Sequence, residues 1–219
     1  NKNNNKPVIT QILELVPNWL LKSCTKTYNS DKGTSKYKTY DQFVALTFGQ
    51  LAKCQSLNDI SAGIGVSETF IKDLGLTQSP AKSTMSDGNK KRDWHVFESL
   101  YNRLLSHYKF VLKKHHNTHI IEQIKSKTVK LVDSSTISLC LSMFDWAEFR
   151  TAKGGIKLHT SWDVHMMIPE VVNITQAKVH DRNGLKQLIY PKDTVIVEDR
   201  GYFDFTLMLN RIKAENIFV

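Results

Sequence analysis

Apolar positions in the first half of the chain recur at helical spacing, and those in the second half alternate. In ITQILELVPNWLLKSCTKTY, Ile9, Ile12, Leu13, Val16, Trp19, Leu20 and Cys24 fall three and four apart, with Pro17 dividing them into two short helices. The turn-rich NSDKGTSKYKT precedes TYDQFVALTFGQLAKC, where Phe43, Leu46, Thr47, Gln50 and Leu51 mark one helical face and Asp41 suits the positive helix end. QSLNDISAGIG predicts a further short helix, with Ser56 as its N-cap and a stop near Gly63 or Gly65. This pair has helix-turn-helix spacing, as any two packed helices do. From Asp93 to His115 a longer helix carries Val96, Phe97, Leu100, Leu104 and Leu105 as its buried stripe.

After SKTV the period changes. VKLVDSSTISL reads as a strand, FDWAEFRTAKGG as a polar excursion, and IKLHTSWDVHMMIPEVVNITQAKV as a hairpin turning near Asp163 to Met167. A short helix (DRNGLKQLIY), a strand (TVIVED) and a helix (YFDFTLMLNRIKAEN) lead to the final IFV. The pattern predicts an all-α domain over 1–117 and an α/β domain over 128–219, with the boundary near 117 to 128. The start at NKNNNK without a methionine, and a stop in what reads as a beginning strand, suggest a fragment.

Charge adds a partner to this picture. The formal net charge is +9, and it gathers in the helical half: eight lysines against three acids from Asn1 to Lys53, and eight Lys or Arg against three acids from Ala81 to Asn117. Such an excess points to a polyanion, nucleic acid foremost. The cysteines Cys24, Cys54 and Cys140 form no CxxC pair, which fits a reducing cytosol and argues against a disulfide framework or zinc ribbon. No apolar run approaches the roughly 18 residues of a membrane span.

In two strands an apolar run ends in an aspartate: Asp133 follows VKLV, and Asp199 follows VIVE. Neighbours on a strand face opposite ways, so Glu198 and Asp199 cannot serve one ligand together. If the two strands are parallel neighbours, Asp133 and Asp199 meet at one pole of the sheet, where a hard cation such as Mg²⁺ suits paired carboxylates. An aspartate in this position is also a common helix cap or turn former.

VDSST at Val132 to Thr136 and EDRGYFD at Glu198 to Asp204, with KGGIKLHTSWD between them, resemble the DDE transposases of bacterial insertion sequences, in the insertion sequence four family. TFGQLAKCQSLNDI and SPAKSTMSDGNKKRDWHVFESLY resemble the N-terminal domain of one branch of that family. The resemblance implies an incomplete RNase H-like mixed sheet behind an all-α domain, with Asp133 on the first strand and Asp199 on or just after the fourth. It implies that these two acids hold Mg²⁺, or Mn²⁺, for cutting transposon ends and joining the freed 3′-hydroxyl to target DNA. Implied partners are the terminal repeats and target, as double-stranded DNA, and a second copy of the chain on the paired ends, in the bacterial cytoplasm at the nucleoid. The family's third acid, a glutamate in a Tyr, Arg, Glu, Lys motif, has no match in this chain; Glu215 precedes the fifth strand where the family's glutamate follows it. Alternatives are a DNA-binding protein with a truncated or decayed core, and a metal-dependent nuclease of the same fold.

Lys90, Lys91, Arg92, Lys153, Lys157, His159 and Arg200 are candidate DNA contacts. Gly201 is expected to permit a tight turn and Tyr202 to pack beneath the site. His115, His116 and His119, the set His159, Asp163 and His165, and the pair Asp145 and Glu148 are weaker metal or acid groupings. Trp94, Trp146 and Trp162 offer stacking surfaces, for which core packing is the ordinary use.

Overall fold

The computed structural model describes residues 6–112, 127–139, 148–150, 153–184 and 188–219. Contacts divide the chain into two compact units, Asn1–Tyr108 and Lys109–Val219. The division falls inside the last helix of the first half, and most of the expected boundary stretch, residues 113–126, lies outside the described residues.

The first unit is helical: α1 (Val8–Glu14), α2 (Asn18–Thr27), α3 (Thr39–Leu51), α4 (Leu57–Ile64), α5 (Glu68–Asp73), α6 (Lys82–Lys91) and α7 (His95–Leu112). Pro17 sits at the N-cap of α2, where its missing N–H costs nothing. Ser56 caps α4 by accepting from the Asp59 N–H at 3.2 Å, and Asp41 accepts from the Lys38 N–H at 2.8 Å ahead of α3. Leu20, Leu21 and Cys24 of α2 pack with Val96 and Leu100 of α7; of the residues marked by spacing Leu20, Cys24, Val96 and Leu100 are in this core, whereas Trp19 is exposed and Leu21 takes an inward place.

Helix α3 corrects one expectation. Its buried residues are Thr39, Gln42, Val44, Ala45 and Gly49, while Leu46 and Leu51 are exposed. Close approach of α4 is the reason: a Cβ on Gly49 would stand 2.5 Å from the Ile60 Cδ1, and one on Gly63 would stand 2.7 Å from the Phe48 ring. Small residues thus occupy the contact, and the larger apolar ones on neighbouring positions turn outward.

The second unit is built on β1 (Val129–Leu139), β2 (Glu148–Arg150), β3 (Lys153–Asp163), β4 (Ile168–Gln176), β5 (Val195–Glu198) and β6 (Ile217–Phe218), with α8 (Asp181–Gly184), a 3-10 turn (Arg200–Tyr202) and α9 (Phe205–Lys213) between strands. The sheet order is β2-β3-β1-β5-β6, with β4 also paired to β3. β1 pairs antiparallel with β3, and β3 with β4, whereas β5 runs parallel to β1 and β6 parallel to β5. Four antiparallel strands, β1 to β4, followed by β5 and β6 added in parallel, form the RNase H-like α/β arrangement, preceded by a helical unit. The β3–β4 hairpin turns at residues 164–167, as the sequence predicts.

Period-two alternation sorts the side chains. Val132 and Ile196 turn toward Tyr190 and Tyr202 in a small core. On the same face Lys130 is paired with Asp163 at 2.5 Å and with Glu170, and Arg211 of α9 is paired with Glu198. These cations and acids are all largely buried, so each depends on its partner to offset desolvation.

Candidate active site

The parallel register of β1 and β5 pairs Leu131 with Val197 and Val132 with Glu198. One residue further come Asp133, still within β1, and Asp199, just past the end of β5; the register, continued by one step, puts them on adjacent strands about 4.8 Å apart. Both are exposed, and among the described residues neither is ion-paired. Each is steadied by a backbone donor: the Ser134 N–H gives to Asp133 Oδ1 at 2.7 Å, and the Gly201 N–H gives to Asp199 Oδ1 at 2.8 Å. Glu198, one residue earlier, is turned the other way onto Arg211, as alternation requires.

Gly201 has an ordinary backbone and not the left-handed one that a glycine-demanding turn needs. Its glycine identity answers to space instead. A Cβ there would stand 3.0 Å from Asp199 Oδ1 and 3.5 Å from Asp181 Oδ2. Tyr202 is 2% exposed beneath the turn. Its phenol pKa is pushed up to about 12, by burial first and then by the carboxylates of Asp181, Asp133 and Asp199. One ring therefore senses all three acids.

Asp181 is the residue that sequence reasoning missed. It opens α8, 48 residues after Asp133, inside a stretch that reads only as a short polar helix. Its Oδ1 accepts from Ser134 Oγ at 2.5 Å and from Lys157 Nζ at 2.9 Å. Burial works to raise its pKa, but the bonds from Ser134 and Lys157 outweigh that and hold it below the usual carboxylate range.

Several candidate DNA contacts lie inside the fold. Arg92 has a side chain only 4% exposed, and it donates to the carbonyls of Ser30 and Tyr37 and to Gln42 Oε1. Lys157 is held by Asp181 and the Val179 carbonyl. His159 is fully buried, with Nε2 at 2.8 Å from Thr175 Oγ1 and Gly184 pressed so closely on its ring that a Cβ there would clash at 2.1 Å. Burial, with Lys157 adding to it against the pull of Asp181, lowers the His159 pKa. Lys90 and Lys91 on α6 and Arg200 beside Asp199 are exposed, Lys91 within 3.6 Å of Asp87. Lys153 begins β3, with its side chain outside the described residues.

The weaker groupings separate. Asp163 is committed to Lys130, and His165 Nε2 lies 2.6 Å from the Lys127 carbonyl, so His159, Asp163 and His165 share no centre. His115, His116, His119, Asp145 and Trp146, and the Glu148 side chain, lie outside the described residues. Trp94 is 62% exposed and stacks on His95 at 3.9 Å. Glu215 stands at the far end of the parallel strands: its carbonyl accepts from the Asp193 N–H ahead of β5, and its carboxylate pairs with Lys192 at 2.6 Å. The length of β5 thus separates it from Asp199.

Two adjacent, exposed carboxylates, with one oxygen of each tied to a backbone N–H, present hard oxygen donors that suit Mg²⁺ or Mn²⁺. Among the described residues no group of three His, Cys, Asp or Glu side chains is arranged to hold one ion. The donor set fits a divalent cation as a pair of ligands. Among the described residues no helix is long and apolar enough to cross a membrane.

Comparison with known proteins agrees with this geometry. Residues 124–218 match the transposase DDE domain family, and residues 4–77 match a domain of unknown function, DUF4372. The probable transposase for insertion sequence element IS5377 of Geobacillus stearothermophilus is 29% identical over 93 residues, which is 42% of this chain and 24% of that protein. The chain thus spans about a quarter of the length of that relative. No solved structure matches. The match to the transposase DDE domain covers the strands that carry Asp133 and Asp199, and this part of the chain is similar to an insertion-sequence transposase.

Proposed function

We propose that this chain acts on DNA as an insertion-sequence transposase, cutting transposon ends and joining the freed 3′-hydroxyl to target DNA. The observation that carries this reading is the parallel β1–β5 register that brings Asp133 beside Asp199. Membership of the insertion sequence four branch rests on the VDSST and EDRGYFD motifs.

Asp133 and Asp199 are the residues that would hold Mg²⁺ or Mn²⁺, which supplies activation of the attacking oxygen and neutralisation of the leaving one at a phosphodiester. The Ser134 and Gly201 amides orient the two carboxylates, so that little reorganisation is needed when a ligand arrives. Arg200, exposed next to Asp199, is suited to a phosphate of the bound strand. Lys90 and Lys91 supply sequence-independent affinity from the helical unit. Arg92, Lys157 and His159 are left out of the DNA surface because their polar atoms face the interior. A second copy of the chain serves the second transposon end.

Titration of Mn²⁺ into the protein, followed by the loss of the free-ion paramagnetic resonance signal, tests the centre. Saturable binding that disappears in Asp133→Asn and in Asp199→Asn supports it. Binding indifferent to both substitutions sinks the catalytic reading, and DNA cutting without strand joining by the full-length gene product turns it into a nuclease.

A further inference from the structure

We infer that Asp181 is a positioning residue for the Asp133 and Asp199 centre, standing against the two segments that carry it and restraining Lys157 beside it. The inference rests on reading those two aspartates as the metal-holding pair.

Ser134 is the first link. Its N–H binds Asp133 Oδ1 at 2.7 Å, and its hydroxyl binds Asp181 Oδ1 at 2.5 Å. One residue therefore connects the two carboxylates and fixes their relation through short bonds. Gly201 is the second link. Its N–H binds Asp199 Oδ1, and the space left by its missing side chain is bordered by that oxygen and by Asp181 Oδ2. Asp181 thus stands against β1, through Ser134, and against the turn that delivers Asp199. Tyr202, buried under the same turn, packs with Val132 and Ile196 beneath it.

Lys157 is the third link, and it explains why a third acid is tolerated here. Asp181 Oδ2 and Asp199 Oδ1 border the same space at Gly201, and like charges brought together repel unless one is neutralised. The Lys157 ammonium, 15% exposed and 2.9 Å from Asp181 Oδ1, does that. Its register partner on β1 is Thr136, two residues beyond Ser134, so the ammonium lies near the centre without being joined to either exposed aspartate. Asp181 keeps it there. Removing the Asp181 charge frees an ammonium to turn toward Asp199, whose Oδ1 borders the same space at Gly201 as Asp181 Oδ2, where it competes with a divalent cation for that carboxylate. Asp181 acts through Ser134, Gly201 and Lys157; the described acids are not arranged as a three-ligand set.

The test is Mn²⁺ affinity of the whole chain, read by the free-ion resonance signal. Asp181→Ala is expected to weaken binding by about 10-fold to 100-fold, the usual consequence of losing an outer-sphere partner. Asp181→Asn, isosteric and still able to accept from Ser134, is expected to weaken it comparably while remaining folded, because it too releases Lys157. Adding Lys157→Met to either variant is expected to restore much of the lost affinity. A merely structural role does not produce that rescue, since a second interior substitution would only add damage. Wild-type affinity in Asp181→Asn, with binding abolished by Asp133→Asn, overturns the inference and spares the metal centre. An unrelieved loss in the double variant overturns the positioning role through Lys157. Absence of Mn²⁺ binding by the unmodified chain overturns the centre and this inference together.

Discussion

The two units treat their charged residues differently. In the helical unit, the cation that stands out in the sequence, Arg92, is turned inward to hold the Ser30 to Tyr37 loop, while its neighbours Lys90 and Lys91 face solvent. In the sheet unit, the interior cations Lys130, Lys157 and Arg211 each answer a specific acid, while Asp133 within β1 and Asp199 just after β5 have no ion pair among the described residues. Pairing therefore separates architecture from chemistry. A buried charge with its partner holds the fold, and on the proposed reading the exposed carboxylates of Asp133 and Asp199 are kept for a ligand.

The largest effect that can break this contrast is on catalysis. Asp133→Asn or Asp199→Asn should lower metal-dependent strand cleavage by the full-length gene product on the order of 10³-fold or more, with the melting temperature unchanged. A drop in melting temperature of either variant would mean that the exposed pair is also structural. Next comes Lys130→Met, which strands Asp163 without its cation and leaves Glu170 with Lys109 alone. It should cost about 3–5 kcal/mol of stability, measured by calorimetric unfolding. Arg92→Ala should cost about 2–3 kcal/mol through its lost charged hydrogen bonds and leave the salt dependence of DNA binding unaltered. Lys90→Ala and Lys91→Ala should do the reverse, each reducing the salt slope of DNA binding by about 1 with little change in melting.

The smallest effect is a pH dependence. Burial pulls the Asp163 and Glu170 carboxyls upward, but their bonds to Lys130, with Met166 aiding Asp163 and Lys109 aiding Glu170, outweigh it and hold both below the ordinary range. Groups lowered by folding contribute stability above their unfolded pKa values and lose it as pH falls through the folded ones. Melting temperature should therefore be flat near neutrality and decline once the carboxylate range is entered. Lys130→Met should blunt that decline.

The sheet was legible because its signals are local. VKLVDSSTISL alternates over the whole of β1, and an apolar run that ends in an acid is visible at both Asp133 and Asp199. The inward turn of Arg92 was hidden because charge does not reveal direction; its partners Gln42 and Ser30 lie 50 and 62 residues away. Asp181 was hidden for the same reason, its bond to Ser134 spanning 47 residues. Helix α3 misled in another way. Periodicity favours large apolar residues as the buried face, yet close packing on α4 selected Ala45 and Gly49 and left Leu46 outside.

The central claim is that Asp133 and Asp199 form one cation-binding centre. Anomalous diffraction at the manganese edge, from crystals of this chain soaked in Mn²⁺, tests it most directly. A peak between the two carboxylates, absent from Asp133→Asn crystals, is the predicted result. Manganese found elsewhere, with both carboxylates bare, would contradict it.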